Sequence, residues 1–339
     1  MLFMSRMRSN GDNDSVGGSI APPLNEPRNR KPVIGLALGG GAARGWAHIG
    51  ILRVLEEAGL APQVVTGTSI GAVVGGCWAA GKLDDLESFA RGMTKRLVFT
   101  LMDFSLAGRG LITGDRLGRR LEEGLEGLRV EGLAHRFAAV ATEIGTGHEI
   151  WVTEGDLAKS MRASYAIPGI FEPVKIGDRW LVDGVLVNPI PVTTARALGA
   201  DFVVAVNLHS DVFSRATIVH SHGAEREIEP GECEPATTPR RMLFGAGMFK
   251  RSQGPREEGA PGIASVMMDA FNITQDRIAR SRLAGDPPDV MIGPKLGHVG
   301  LMEFHKAEEA IAVGREAGKR LLPEIRDCFD AFADRRRSF

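Results

Sequence analysis

Cysteine and tyrosine are scarce in this chain of 339 residues, with three of the first and one of the second. Cys77, Cys233 and Cys328 are far apart and odd in number, so they give neither a disulfide framework nor metal-ligand spacing. A reducing, cytoplasmic setting is the expectation. No stretch approaches the roughly 18 consecutive apolar residues of a membrane-spanning helix. The opening MLFMSRMRSNGDNDS also lacks the apolar core of a signal peptide. Excess charge is missing as well: Lys and Arg number 41 against 42 Asp and Glu, a formal net charge of -1. No global field therefore draws the chain to nucleic acid, and any attraction to acidic lipid must be local. What remains is an ordinary globular composition, 43% hydrophobic and 24% charged. It is long enough for one large α/β domain or two small ones.

Residues 1–31 have no hydrophobic period and are rich in Gly, Ser, Asn, Pro and Arg, which reads as a tail. At 33–38 an apolar run, VIGLAL, sits between Pro32 and a glycine cluster, as a buried parallel strand does. A helical pattern over 46–57 follows, with Ile49, Leu52 and Leu55 on one face and Gly59 as its stop. The order repeats with a strand at 64–66, the turn GTSIG at 67–71 and a helix of small residues. Two successive strand–glycine turn–helix units predict an α/β sheet with parallel strands. Further strands are expected at 137–142, 149–152, 180–183, 202–207 and 289–292, and helices at 192–198, 263–283 and from 302 onward. Composition shifts at His209, so 209–262 reads as a long loop or lid within one domain spanning 32–325. Residues 326–339 read as a second tail.

Three turns carry the chemistry. A nucleophilic serine needs its hydroxyl at a sharp strand-to-helix turn, with glycines two before and two after to let neighbouring backbone pass. Ser69 in GTSIG has that context. The pattern alone is weak in a chain with 43 glycines, and a capping serine in a glycine turn fits it too. The second turn is GGGAARG at 39–45. Its successive glycines can aim several N–H groups into one concavity, suiting a phosphate or an oxyanion. A dinucleotide fingerprint fails because Arg44 occupies the third glycine position, and no phosphate-loop lysine follows. An oxyanion hole or a plain tight turn remains. The third is Asp183, in LVDGV at the end of a strand, where it reads either as a carboxylate at the site edge of the sheet or as a simple Asp-Gly turn.

GGGAARG, GTSIG, SYAIPGIFEPV at 164–174 and DG followed by VNPIPV together resemble the patatin-like phospholipase family, over roughly 33–207. The resemblance implies a three-layer α/β fold with a mainly parallel central sheet and helices on both faces. It implies a Ser–Asp dyad, with Ser69 as nucleophile and Asp183 as base. Gly39, Gly40, Gly41 and Arg44 match the oxyanion-hole loop. Val185 departs from the family, which commonly has Gly or Ala after Asp-Gly. The activity implied is carboxylic ester hydrolysis on acyl lipids, with no metal and no cofactor.

Three alternatives stay open. His298 and His305 lie downstream of Asp183, in the order of a Ser–Asp–His triad, whereas His48 reads as a packed helix residue. A regulatory protein with a weakened site is a second, resting on Val185, and a nucleotide-binding α/β protein a third. For lipid access, the segment 240–251, RRMLFGAGMFKR, sets apolar residues between basic pairs. It suits peripheral membrane contact, or equally a loop folded back on the body.

Overall fold

The computed structural model describes residues 30–101, 115–211 and 262–337. The N-terminal tail up to residue 29, the loop at 212–261 and the basic-apolar segment 240–251 lie outside the described residues. The chain divides into two units, 1–212 with 274–339, and 213–273. Of the second only the first half of one helix is described.

The larger unit is built on one mixed sheet. Strands β1 (Ile34–Leu38), β2 (Val64–Thr68), β3 (Arg136–Glu143), β7 (Phe202–Val206) and β8 (Val290–Ile292) run parallel in the order β3-β2-β1-β7-β8. Beyond β3 the sheet turns antiparallel, through β6 (Arg179–Asp183) and then β5 (Val174–Ile176), while β4 (Glu149–Val152) also pairs antiparallel with β3. β1, β2 and β7 are buried along their whole length. Strands covered on both faces lose the polar alternation, which is why they appear in the sequence as continuous apolar runs.

Side-chain alternation divides the core in two. Ile34, Leu36 and Leu38 of β1, with Phe202, Val204 and Val206 of β7, face the larger cluster, while Ala37, Val203 and Ala205 face the smaller. The larger holds α1 (Ala47–Glu57), α2 (Ile70–Ala79), α6 (Leu157–Tyr165) and α9 (Ala307–Arg337). The smaller holds α7 (Val192–Ala197) and, from α8 (Ile263–Gly285), Ala279. Helices thus cover both faces. The short helices α3 (Leu83–Arg91), α4 (Lys95–Leu101) and α5 (Asp115–Gly124) complete the described set.

The tightest helix pair is α1 against α9. Gly50 and Gly314 face each other across it, and a Cβ at either would collide with main chain, that of Ile311 or of Ala47. Small residues let two backbones touch, so dispersion contacts form without any polar group being buried.

The expected tail at 326–339 is corrected by α9, which continues to Arg337. Its last turns carry Phe329 and Phe332, whose rings stack edge-on against Phe202 at centroid distances of 5.5 and 6.1 Å. Arg336 pairs with Asp201 at 2.5 Å, so it is not a free solvated charge. Asp201 also accepts from Val33 N at 2.8 Å and pairs with Arg30 at 2.9 Å. One carboxylate thereby gathers the first described residue, the start of β7 and the end of α9.

Candidate active site

The first glycine turn follows β1 and leads through a short 3-10 turn, Ala42–Trp46, into α1. The second follows β2 and leads into α2 through Ser69, whose φ of 57° and ψ of -126° lie in a region that favours glycine. Such a conformation costs on the order of 1–3 kcal/mol and persists only when its surroundings enforce it. The enforcement is close packing: a Cβ on Gly67 would strike the start of α2, and one on Gly71 would strike the carbonyl of Leu38. With these two glycines the elbow fits, and the Ser69 hydroxyl is held at the N-terminus of α2, where the main-chain dipole favours negative charge.

Asp183 reaches Ser69 by register. β2 pairs Thr68 with Val140, and the next residue of β3, Ala141, pairs with Asp183 on β6. Ser69 and Asp183 are thus level across three strands. The Ser69 Oγ donates to Asp183 Oδ2 at 2.7 Å. The second oxygen, Oδ1, accepts from the main-chain N–H of Val185 at 3.0 Å. Asp183 is fully buried, and that burial pushes its pKa up to about 7, opposed by the hydrogen bonds from Ser69 and from Val185 N. The departure at Val185 therefore leaves this support of the carboxylate intact, since any residue other than proline supplies that N–H.

Ser164, at the end of α6, went unassigned in the motif it belongs to. Its hydroxyl accepts from Ser69 N at 2.9 Å and donates to Val140 O at 2.6 Å, tying the strained elbow to β3. Thr142 Oγ1 similarly donates to the carbonyl of Asp183 at 2.9 Å. Both are fully or nearly fully buried.

The glycine loop is more constrained than its sequence implies. Gly39 N donates to Val206 O at 3.1 Å, Gly40 N to Pro189 O at 3.1 Å, and Arg44 N to Gly41 O at 3.1 Å. The first ties the loop to β7, the second ties it to the segment before α7, and the third closes its own turn. The expectation of a cradle from Gly39, Gly40, Gly41 and Arg44 is thus narrowed: Gly41 and Ala42 are the loop residues whose N–H groups have no partner among the described residues. Ala42, with φ 48°, holds a positive φ as Ser69 does. The Arg44 side chain is buried and donates through Nε to Val299 O at 2.9 Å, anchoring a distant loop.

Among the described residues no histidine is hydrogen-bonded to Ser69 or Asp183. His48 is buried in α1, and its Nε2 lies 2.8 Å from Gly39 O. Burial pushes its pKa down to about 4, so near neutral pH the ring is uncharged and donates to that carbonyl. His298 pairs with Glu309 at 3.0 Å, and His305 is partly exposed in a 3-10 turn before α9.

Comparison with known proteins accords with this architecture. The model of the patatin-like phospholipase family matches residues 36–196, which include both glycine turns and Asp183. An uncharacterized NTE family protein of Mycobacterium tuberculosis is 32% identical over 329 residues, covering 86% of this chain and 91% of the relative. This chain belongs to the patatin-like phospholipase family. A more distant relative is Lysophospholipase NTE1 of Pyricularia oryzae, 26% identical over 304 residues; these are 87% of this chain but 19% of that protein. Among solved structures, VipD from Legionella pneumophila aligns with a TM-score of 0.50 and 13% identity, over 87% of this chain and 67% of that one, a likeness of fold. Membership supports a lipid hydrolase as the general class. Among the described residues no helix is long and apolar enough to cross a membrane.

Proposed function

We propose that the protein is a serine lipid acyl hydrolase of phospholipase A or lysophospholipase type, working through a Ser69–Asp183 dyad. The 2.7 Å hydrogen bond between Ser69 Oγ and Asp183 Oδ2 is the observation that carries this reading. In the first half-reaction Ser69 Oγ attacks the ester carbonyl carbon while its proton passes to Asp183. The tetrahedral oxyanion is held by the N–H groups of Gly41 and Ala42, with that of Ile70, the residue after the nucleophile, as a further donor. Collapse breaks the bond to the alcohol oxygen, which takes the proton back from Asp183 and departs. Water then attacks the acyl-enzyme, Asp183 accepts its proton and returns it to Ser69, and the free fatty acid leaves.

An exposed aspartate, with a pKa of about 3.9, is a poor base. Raised to about 7, Asp183 is matched to a proton transfer near neutral pH. The base works ionised, so kcat/KM should rise with pH through about 7 and level off above it. A pH profile flat between 5 and 8 would contradict the assignment of the base.

The direct test is hydrolysis of p-nitrophenyl esters and of lysophospholipid vesicles by the wild type, Ser69→Ala and Asp183→Asn. Each substitution should lower kcat by at least about 10³-fold, the scale on which dyad members act as a unit. Labelling by a fluorophosphonate should vanish in Ser69→Ala. If the folded wild type neither hydrolyses esters nor takes up the label, the hydrolase reading is wrong and the binding-protein alternative takes its place.

A further inference from the structure

Gln275, on α8, is 4% exposed, and its Nε2 has no hydrogen-bond partner among the described residues. A buried primary amide with an idle donor is costly, and native cores rarely keep one without a use. Its surroundings suggest that use. The point where a Cβ would stand on Gly40 lies 3.4 Å from Gln275 Nε2, 3.5 Å from Ser69 Cβ and 2.5 Å from Val185 Cγ1. Nucleophile, glycine loop and idle donor therefore converge on one face of Gly40. The next residue of the helix, Asp276, is already engaged with Arg280 at 2.7 Å. Among the described residues two other buried ring nitrogens lack a partner, His48 Nδ1 and His209 Nε2. Yet His48 is committed to Gly39 through its other nitrogen, and His209 lies toward Gly41 rather than toward Ser69.

We propose that Gln275 supplies a side-chain donor to the reacting ester, supplementing the main-chain amides of the glycine turn from a helix far away in the sequence. The assignment rests on the hydrolase reading and deepens it. A neutral amide suits the task, since it strengthens its hydrogen bond as negative charge develops on the carbonyl oxygen and titrates at no accessible pH. The side-chain donor adds to the amides of Gly41, Ala42 and Ile70, beside a loop whose Gly39, Gly40 and Arg44 amides are already spent on holding the fold.

The test compares the wild type with Gln275→Leu and Gln275→Met on p-nitrophenyl butyrate, measuring kcat, KM, the pH profile and Tm. Removing one oxyanion donor costs about 10²-fold in kcat. That loss is the expected result in both variants, with KM within about threefold and the acid limb still near the value set by Asp183. Tm should stay level or rise, because an apolar side chain of similar size relieves an unsatisfied donor. A merely structural glutamine would instead lose Tm and keep kcat, which overturns the assignment, as does a loss confined to KM. If the wild type hydrolyses the ester and labels Ser69 while both variants match it, this inference alone falls. An inactive, unlabelled wild type removes the hydrolase reading and this assignment with it.

Discussion

The α1–α9 seam and the Ser69–Asp183 site lie in the same unit and follow opposite rules. At the seam Gly50 and Gly314 let two backbones meet, and the neighbours Ala47, Ala310 and Ile311 are all buried and apolar. Local preference and global packing agree there. At the site a carboxylate is buried, two non-glycine residues hold positive φ, and several donors have no partner among the described residues. Each of those features opposes stability. The contrast separates where the fold gains its free energy from where it spends it, and the second region is the one proposed for the chemistry.

The comparison can be broken at the seam first. Gly314→Val forces a branched side chain into main chain, and should destabilise the protein by about 3 kcal/mol or more, through overpacking with no flexible neighbour to yield. Thermal unfolding should show a Tm drop of roughly 6–12 °C. Per-molecule activity at low temperature should stay near wild type. A variant that unfolds like the wild type would mean that the two helices can separate without penalty.

At the site the sign should reverse. Asp183 has its pKa raised in the folded state, so the protein is favoured while that carboxyl is protonated. This contribution is complete below the ordinary aspartate pKa of about 3.9, and is lost as pH rises toward about 7. Asp183→Asn keeps the shape and never ionises. It should therefore be more stable than the wild type at pH 8, by roughly 1–2 kcal/mol, with the gap closing toward pH 5. Denaturant titrations at both pH values measure it; a gap that widens on acidification would reverse the argument. The smallest effect is expected at Ser164. Ser164→Ala frees Ser69 N and Val140 O together, and should lower kcat by about 10-fold, equivalent to about 1.4 kcal/mol. Fluorophosphonate labelling should slow in step, because the elbow itself loosens. Labelling at the wild-type rate would make Ser164 a packing residue only.

How much of this was legible in the sequence follows from the physics of each element. β1, β2 and β7 stand out because doubly covered strands are apolar throughout, and the glycine turns stand out because close backbone approach admits no other residue. The parallel strands of the sheet core follow from that repeated pattern, whereas the helices on both faces and the patatin-like fold were implied by the family resemblance. Asp183 was visible as a residue, but its position rests on an antiparallel strand entering in one register, and no local pattern encodes a pairing with β3. The short strand β5 was missed for a similar reason, having only three residues. The last turns of α9 were hidden by charge, although Ile325, Phe329 and Phe332 keep a helical spacing. Loop amides committed to the sheet are invisible to any motif, since the motif names residues and not the direction of their N–H groups. Ser164 and Gln275 act through contacts 95 residues away and across the glycine turn, respectively, and leave no periodic trace.

Asp201 has one more consequence. By holding both Arg30 and Arg336, it brings the entry and the exit of the described fold to a single doorway. A polypeptide that enters and leaves a module at neighbouring points can be spliced into a longer one with little loop-closure entropy lost, and without threading the sheet. Such geometry suits a module within a longer protein, and the 304 residues aligned with the Pyricularia oryzae relative make up 19% of that protein.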